Sequence, residues 1–355
     1  MSSPSPSNSP EEFQAEICEL FGQLPKMKHG GLIQQAIMTL VRMAEVEADR
    51  LDWKILNASL QDMERAFRVF YPYRHVRKVT IFGSARIPPT DPEYKMAAEF
   101  ARSISEQGFM VMTGGGPGIM QAGNEGAGTD KSFGLNIRLP FEQGSNPFIE
   151  GDPKLISFKY FFTRKLFFLR ETDALALFPG GFGTQDEAFE CLTLMQTGRS
   201  DLLPLVLVDK PGGDYWQSWH AHLRDSLLKS GLIGADDLHL YTITDRVDVA
   251  CEEIVSFYRV FHSSRYVGEQ LVLRLNSELS DEQVEYLNQN FSDLLLSGKI
   301  AKSKALPQEF GSDAAHLPRL VLHFNQRDLG RLYQMLRVIN RLGQSAPEAA
   351  HPEQK

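Results

Sequence analysis

Across the first seventy residues, apolar positions recur at helical spacing: Leu32, Ile37, Leu40 and Val41, then Leu60, Met63 and Phe67. Residues three and four apart share one helix face, so this stretch reads as a segment of about three helices packed on the rest of the chain. Ser9-Pro10-Glu11-Glu12 supplies its start, with Pro at the first helical position. Beyond Lys78 the pattern changes to short apolar runs, Val79–Phe82, Phe109–Met112, Ala174–Phe178 and Leu205–Val208, alternating with amphipathic stretches. The first three lead into Gly83-Ser84, Thr113-Gly114-Gly115-Gly116 and Pro179-Gly180-Gly181. After the first, Thr90 and Glu93 have the spacing of a capping box. Strand, glycine turn and helix in repetition specify a doubly wound parallel sheet, which takes its ligands at the carboxyl ends of the strands.

Past Gly268 the order is different. Leu271–Leu275 reads as a strand, and Ser280 with Gln283 caps a helix bearing Val284, Leu287, Phe291 and Leu294. Strands near Ile300–Ala305 and at Leu320–Phe324 come next, then a helix carrying Leu329, Leu332, Leu336 and Ile339. No internal repeat stands out. The expected chain is an α/β protein with tails at 1–9 and 344–355, a helical segment over 10–71, a Rossmann-like domain over 72–265 and a small α+β appendage over 269–343.

Composition narrows the function. Hydrophobic residues make up 42% of the 355, enough for a large core. A net charge of −8 argues against a nucleic-acid scaffold but leaves room for a small anion on a local loop. Three scattered cysteines, Cys18, Cys191 and Cys251, fit a reducing compartment rather than a disulfide frame or metal knuckle. The greasiest stretch, Tyr160–Leu169, is split by Thr163-Arg164-Lys165, so a membrane span is not expected. The polar N-terminus lacks an apolar signal core. The expected location is the cytoplasm.

Three elements carry candidate chemistry. Gly114–Gly118 can present backbone N–H groups and a helix end to an oxyanion, or can simply be a tight turn. Pro179-Gly180-Gly181-Phe182-Gly183-Thr184-Gln185-Asp186-Glu187 could start a helix through a Thr184/Glu187 capping box, yet three glycines exceed what capping needs. On that reading Glu187 lies in the first helical turn, where the helix dipole favours its ionised form, suited to stabilising a cation on a ribose. Arg164 shares a helix face with Phe161 and Phe168, so it borders apolar ground and needs a partner: Asp173 or Glu171, a substrate phosphate, or Glu187.

Gly114–Gly118 with Asn124, Leu139-Pro140-Phe141-Glu142-Gln143, Arg164-Lys165 and Pro179–Glu187 resemble, in this order, the Lonely Guy family, many members of which were once labelled lysine decarboxylases. The Pro-Gly-Gly-x-Gly-Thr-x-x-Glu signature is matched in full. The resemblance covers about 55–260 and is greatest to the longer bacterial branch, with its Phe-Gly-Ser-Ala-Arg turn at Phe82–Arg86. It implies hydrolysis of N6-modified or plain purine nucleoside 5′-monophosphates to free base and ribose 5-phosphate, by a homodimer or higher homo-oligomer. It implies catalytic Glu187 and Arg164, and a substrate held by Gly83, Ser84, Gly114, Gly115, Gly116, Gly180, Gly181, Gly183 and Thr184. Glu142, Lys165, Asp186 and Thr193 are implied to line the nucleotide.

The residue types suit that reaction, whose transition state is oxocarbenium-like and is served by a carboxylate near C1′. Neither cofactor nor metal is expected: the nine histidines show no ligand spacing. A decarboxylase would need pyridoxal phosphate on a lysine, and no cofactor-holding pattern surrounds Lys165. The competing readings are a broad purine/pyrimidine monophosphate nucleosidase and a non-catalytic nucleotide sensor or carrier.

Overall fold

The computed structural model describes residues 19, 21–46, 48–138 and 144–343. The expected helix start at Ser9, both tails and the 139–143 stretch lie outside these. The chain divides into two units, 1–61 and 62–355. The first holds helix α1 (Gly30–Glu45) and most of α2 (Arg50–Phe70), which runs on into the second.

In the second unit a seven-stranded sheet contains β1 (Lys78–Phe82), β2 (Met110–Thr113), β3 (Ser132–Ile137), β4 (Leu155–Phe158), β5 (Ala174–Leu177), β6 (Leu205–Val208) and β7 (Thr242–Thr244). All pairings are parallel, in the order β4-β3-β2-β1-β5-β6-β7. Strands added leftward up to β4 and rightward from β5 leave the switch point between β1 and β5, where such sheets take ligands. The fold is therefore the expected Rossmann-like one, although β3, β4 and β7 were not read from the sequence. The crossovers carry α3 (Pro92–Glu106), α4 (Ile119–Ala127), α5 (Phe161–Glu171), α6 (Phe182–Gln196), α7 (Tyr215–His222) and α8 (Val247–Phe257). β1, β2, β5 and β6 are buried throughout, as strands covered on both faces must be. The Thr90/Glu93 capping box does not form. α3 begins at Pro92, whose fixed φ suits the first helical position, and Asp91 stands at its N-cap.

A second, antiparallel sheet contains β8 (Phe261–Val267), β9 (Gln270–Leu275), β10 (Leu295–Ser303) and β11 (Arg319–Phe324), ordered β10-β11-β9-β8. Two helices join it, α9 (Asp281–Asn290), capped by Ser280 and Gln283 as expected, and α10 (Leu329–Leu342). Strand β8 was missed, and with it a duplication: hairpin β8-β9 then α9, hairpin β10-β11 then α10. Leu-Val-Leu-Arg-Leu-Asn (271–276) recurs as Leu-Val-Leu-His-Phe-Asn (320–325). Val272 and Val321, equivalent in the two copies, face each other across the β9-β11 ladder, which makes the pairing two-fold. Asn276 N–H donates to Val260 O (2.7 Å), and its counterpart Asn325 N–H to Leu294 O (2.9 Å). One hydrophobic core runs from the parallel sheet into this unit, taking in Leu203, Leu271, Leu332 and Leu336. Tyr333 hydroxyl, deep inside it, accepts the Leu203 N–H at 3.1 Å.

Candidate active site

At the switch point three turns are tied together by backbone. Ser84 N–H donates to Pro179 O (3.0 Å), and Ser84 O accepts the Ile119 N–H (3.0 Å) at the start of α4. The turn after β1 thus sits between the glycine turns after β2 and β5, and Gly83, Ser84, Gly114–Gly116 and Gly180–Thr184 are brought to one end of the sheet.

The glycines there differ in purpose. A Cβ on Gly83 would fall 2.6 Å from Ile119, one on Gly114 2.6 Å from Met120 Sδ, and one on Gly180 2.1 Å from Thr184 Oγ1 and 3.0 Å from Ser84 N. These positions are small because protein occupies the space. Gly115 and Gly118 also need positive φ (70° and 67°). Gly181 and Gly183 are different: a Cβ on either meets nothing within 4 Å. Their open backbone lies at the N-terminus of α6, whose first N–H groups have no acceptor within the helix.

The helix begins earlier than the signature suggests. Gly181 is the N-cap, without a side-chain cap, and Phe182 is the first helical residue. The Thr184/Glu187 capping box therefore does not form, and Glu187 lies in the second turn, beyond the strongest reach of the helix end. Glu187 is 8% exposed. Its burial outweighs the attraction of Lys165 and Arg164 and pushes the carboxyl up to about 7. The expectation of a carboxylate ionised by the helix dipole is thus corrected: near neutral pH it holds its proton about half the time.

Helix α5 supplies the facing cations. Asp62, buried, accepts the Lys159 N–H (2.8 Å) and the Thr163 hydroxyl (3.0 Å), anchoring the first turn of α5. The Arg164 guanidinium lies 5.0 Å from the Phe161 ring and 5.7 Å from that of Phe168, on the apolar face the spacing indicated. Its suggested partners Asp173 and Glu171 pair with Arg77 (3.1 Å) and with Arg170. Lys165 Nζ reaches Asp186 (2.7 Å), Glu190, and at 4.0 Å Glu187. Burial works against the Lys165 charge, but hydrogen bonds to Asp186 and Glu190 more than compensate and hold it above the ordinary lysine value.

Of the residues that hold the loops, the sequence pointed to Asn124 through the resemblance but not to Tyr215 or Asn146. Tyr215 hydroxyl donates to Gly180 O and accepts from Gln185 Nε2 (2.7 Å), pinning the turn after β5 from α7. Asn124, buried, accepts from Thr113 (2.8 Å) and from Asn146 (2.9 Å), which also donates to Gly116 O (3.1 Å). Burial of such amides is what fixes the triple-glycine turn, and Asn146 stands in no motif that would signal it. Thr193 is not brought to the turn: it stands exposed farther along α6, its hydroxyl bonded to Phe189 O (2.7 Å). Glu142 lies outside the described residues. Among those residues no group of three His, Cys, Asp or Glu could hold a metal, and no helix is long and apolar enough to cross a membrane.

Residues 106–254 match the family model described as "Possible lysine decarboxylase". Among solved structures, the chain is similar to the molybdenum cofactor binding protein of Rippkaea orientalis (17% identity, 51% of this chain and 97% of that chain, TM-score 0.37). It is similar to the molybdenum cofactor carrier protein of Chlamydomonas reinhardtii (19%, 50% and 94%, TM-score 0.35), and to DNA processing protein A of Helicobacter pylori, a single-stranded DNA binder (16%, 50% and 80%, TM-score 0.35). No curated protein matches the chain. The matched stretch, spanning β2 to α8 with both glycine turns and Glu187, is a domain of the Lonely Guy family, the family that bears the lysine decarboxylase description.

Proposed function

We propose that the protein hydrolyses the N-glycosidic bond of a nucleoside 5′-monophosphate, a purine one with or without an N6 substituent, giving free base and ribose 5-phosphate. The observation that carries this reading is Glu187: a buried carboxyl raised to about 7, facing Arg164 and Lys165, on the helix whose N-terminus opens at Gly181–Gly183. A pure carrier needs the open amides but not a carboxyl poised to exchange a proton at neutral pH.

The 5′-phosphate takes the amides at the start of α6, which fixes C1′ toward Glu187. Water oxygen bonds to C1′ as the C1′–N bond breaks. One water proton passes to Glu187, and the purine takes up a proton as it leaves. While ionised, Glu187 also opposes the positive charge on the ribose. The exposed apolar side chains of Phe161, Phe162, Leu166, Phe182 and Phe189 on α5 and α6 support a homodimer formed beside the site.

The test is base release from AMP against adenosine. AMP should be cleaved with kcat/KM at least about 100-fold higher, because the remote phosphate contributes to both binding and rate. Equal values would refute the phosphate role of the α6 turn, and binding of AMP without release would favour a carrier.

A further inference from the structure

The two copies in the antiparallel unit differ chiefly in one connection. β8 and β9 are joined by the two residues Gly268-Glu269, whereas β10 and β11 are joined by fifteen, Lys304–Pro318. A loop of that length with so little regular structure is uncommon in a compact unit and is usually functional when ordered. This one is ordered by buried charge. Arg319, 2% exposed, donates to the carbonyls of Ala314 (3.0 Å), Ala315 (3.2 Å) and Leu317 (2.6 Å). Glu309, 0% exposed, accepts Nε (3.0 Å) and Nη2 (2.6 Å) of Arg274 and the Leu306 N–H (3.2 Å). Arg319 Nε lies 3.0 Å from Glu309 without the alignment of a hydrogen bond. A buried Arg-Glu-Arg set carries a large desolvation cost, and an apolar trio would serve stability as well. What the charges supply is one fixed course for the loop.

That course borders an open cavity of about 800 Å³, within the range of small-molecule sites (roughly 300–1,000 Å³). Leu275, Leu279, Leu317 and Leu320 line it, and Phe310 stands 70% exposed at its rim. The lining charges are lopsided. Lys302 is matched by Glu278 (3.3 Å) and Asp281 (2.6 Å), but Lys304 and His316 have no carboxylate partner among the described residues. Lys304 is thus an unmatched cation in a chain of net charge −8.

We propose that this cavity binds a small amphipathic anion, its apolar body against the leucines and Phe310 and its carboxylate or phosphate at Lys304 and His316. The test uses the full chain with 1-anilinonaphthalene-8-sulfonate as fluorescent probe, and decanoate, decyl phosphate and decyltrimethylammonium as competitors below their micelle concentrations. Saturable binding should be displaced by either anion and not by the cation, and the stronger anion identifies the preferred headgroup. Lys304→Glu with His316→Glu should weaken binding about tenfold, and Phe310→Ala alone by about threefold. All three positions are exposed, so folding should persist, and Phe310→Ala carries the test if the double variant does not fold. No saturable binding, equal displacement by the cation, or unchanged affinity in the variants would overturn the proposal. The last result would place the probe on the aromatics of α5 and α6 instead.

Discussion

Glu187→Gln separates the charge of the site carboxyl from its shape. Glutamine imitates the protonated form, so the substitution removes only what ionisation does. In the unfolded chain Glu187 ionises at the ordinary 4.5, and in the fold at about 7 because burial disfavours the charge. A raised folded value means that the native state keeps its proton longer, so its stability is full below 4.5 and is lost as pH rises through 7. The gap corresponds to roughly 3 kcal/mol at about 1.4 kcal/mol per tenfold, and water entering on ionisation brings the lower bound to about 1 kcal/mol. At about 2 °C per kcal/mol for a body of this size, Glu187→Gln should melt about 2–6 °C above the parent at about pH 8. At about pH 4 the two should nearly coincide. Scanning calorimetry at both pH values gives the difference, in which titrating groups that do not interact with Glu187 cancel. The same variant should lose about 100-fold or more of its base release, and with it the limb near pH 7 in kcat/KM. A Tm difference independent of pH, or a variant less stable than the parent on the alkaline side, would refute the desolvation argument. Near-normal turnover would refute the catalytic one.

The two kinds of glycine in the signature should respond oppositely. Gly180→Ala drives a methyl to 2.1 Å from Thr184 Oγ1 and 3.0 Å from backbone, and should lower Tm by several degrees. Gly183→Ala enters open space and should leave Tm within about 2 °C while raising KM for AMP; an equal loss of stability in both would show that the turn is purely structural. Tyr215→Phe frees Gly180 O and should raise KM about threefold to tenfold with a modest loss of stability, and an unchanged KM would show that the turn holds without it. Light scattering at micromolar concentration should give a dimer, and a monomer would leave the apolar side chains of α5 and α6 needing another explanation.

The sequence revealed the strands that are largely apolar runs, three of them leading into glycine turns, because both features are local. It concealed β3, where Ser132, Gly134 and Asn136 alternate with apolar residues, and β7, only three residues long. It concealed β8, whose His-Ser-Ser-Arg centre looks like a loop, and without β8 the duplication has no first member. The signature located Glu187 but misjudged its state. Capping depends on where the helix starts, which the Pro-Gly-Gly break moved to Phe182, and the acidity of Glu187 depends on burial by residues distant in sequence. Tyr215, Asn146 and Asp62 were out of reach for the same reason: each acts on a backbone or side-chain group supplied by another element.

The order β4-β3-β2-β1-β5-β6-β7 also has a kinetic side. β1 meets β2 through a local crossover, but its other neighbour, β5, begins far downstream: Val79 pairs with Ala174, 95 positions later. Closing so long a loop is entropically slow, and its contacts are rewarded only after most of the intervening chain is in place. The turn after β1 and the turn that leads to Glu187 become neighbours in that step and in no earlier one. During synthesis or refolding, a chain that has formed only its first four strands has one glycine turn in order and no carboxyl beside it. Substrate binding can then serve as a report on the completed sheet, and a ligand such as ribose 5-phosphate should accelerate no step before β1 and β5 have met.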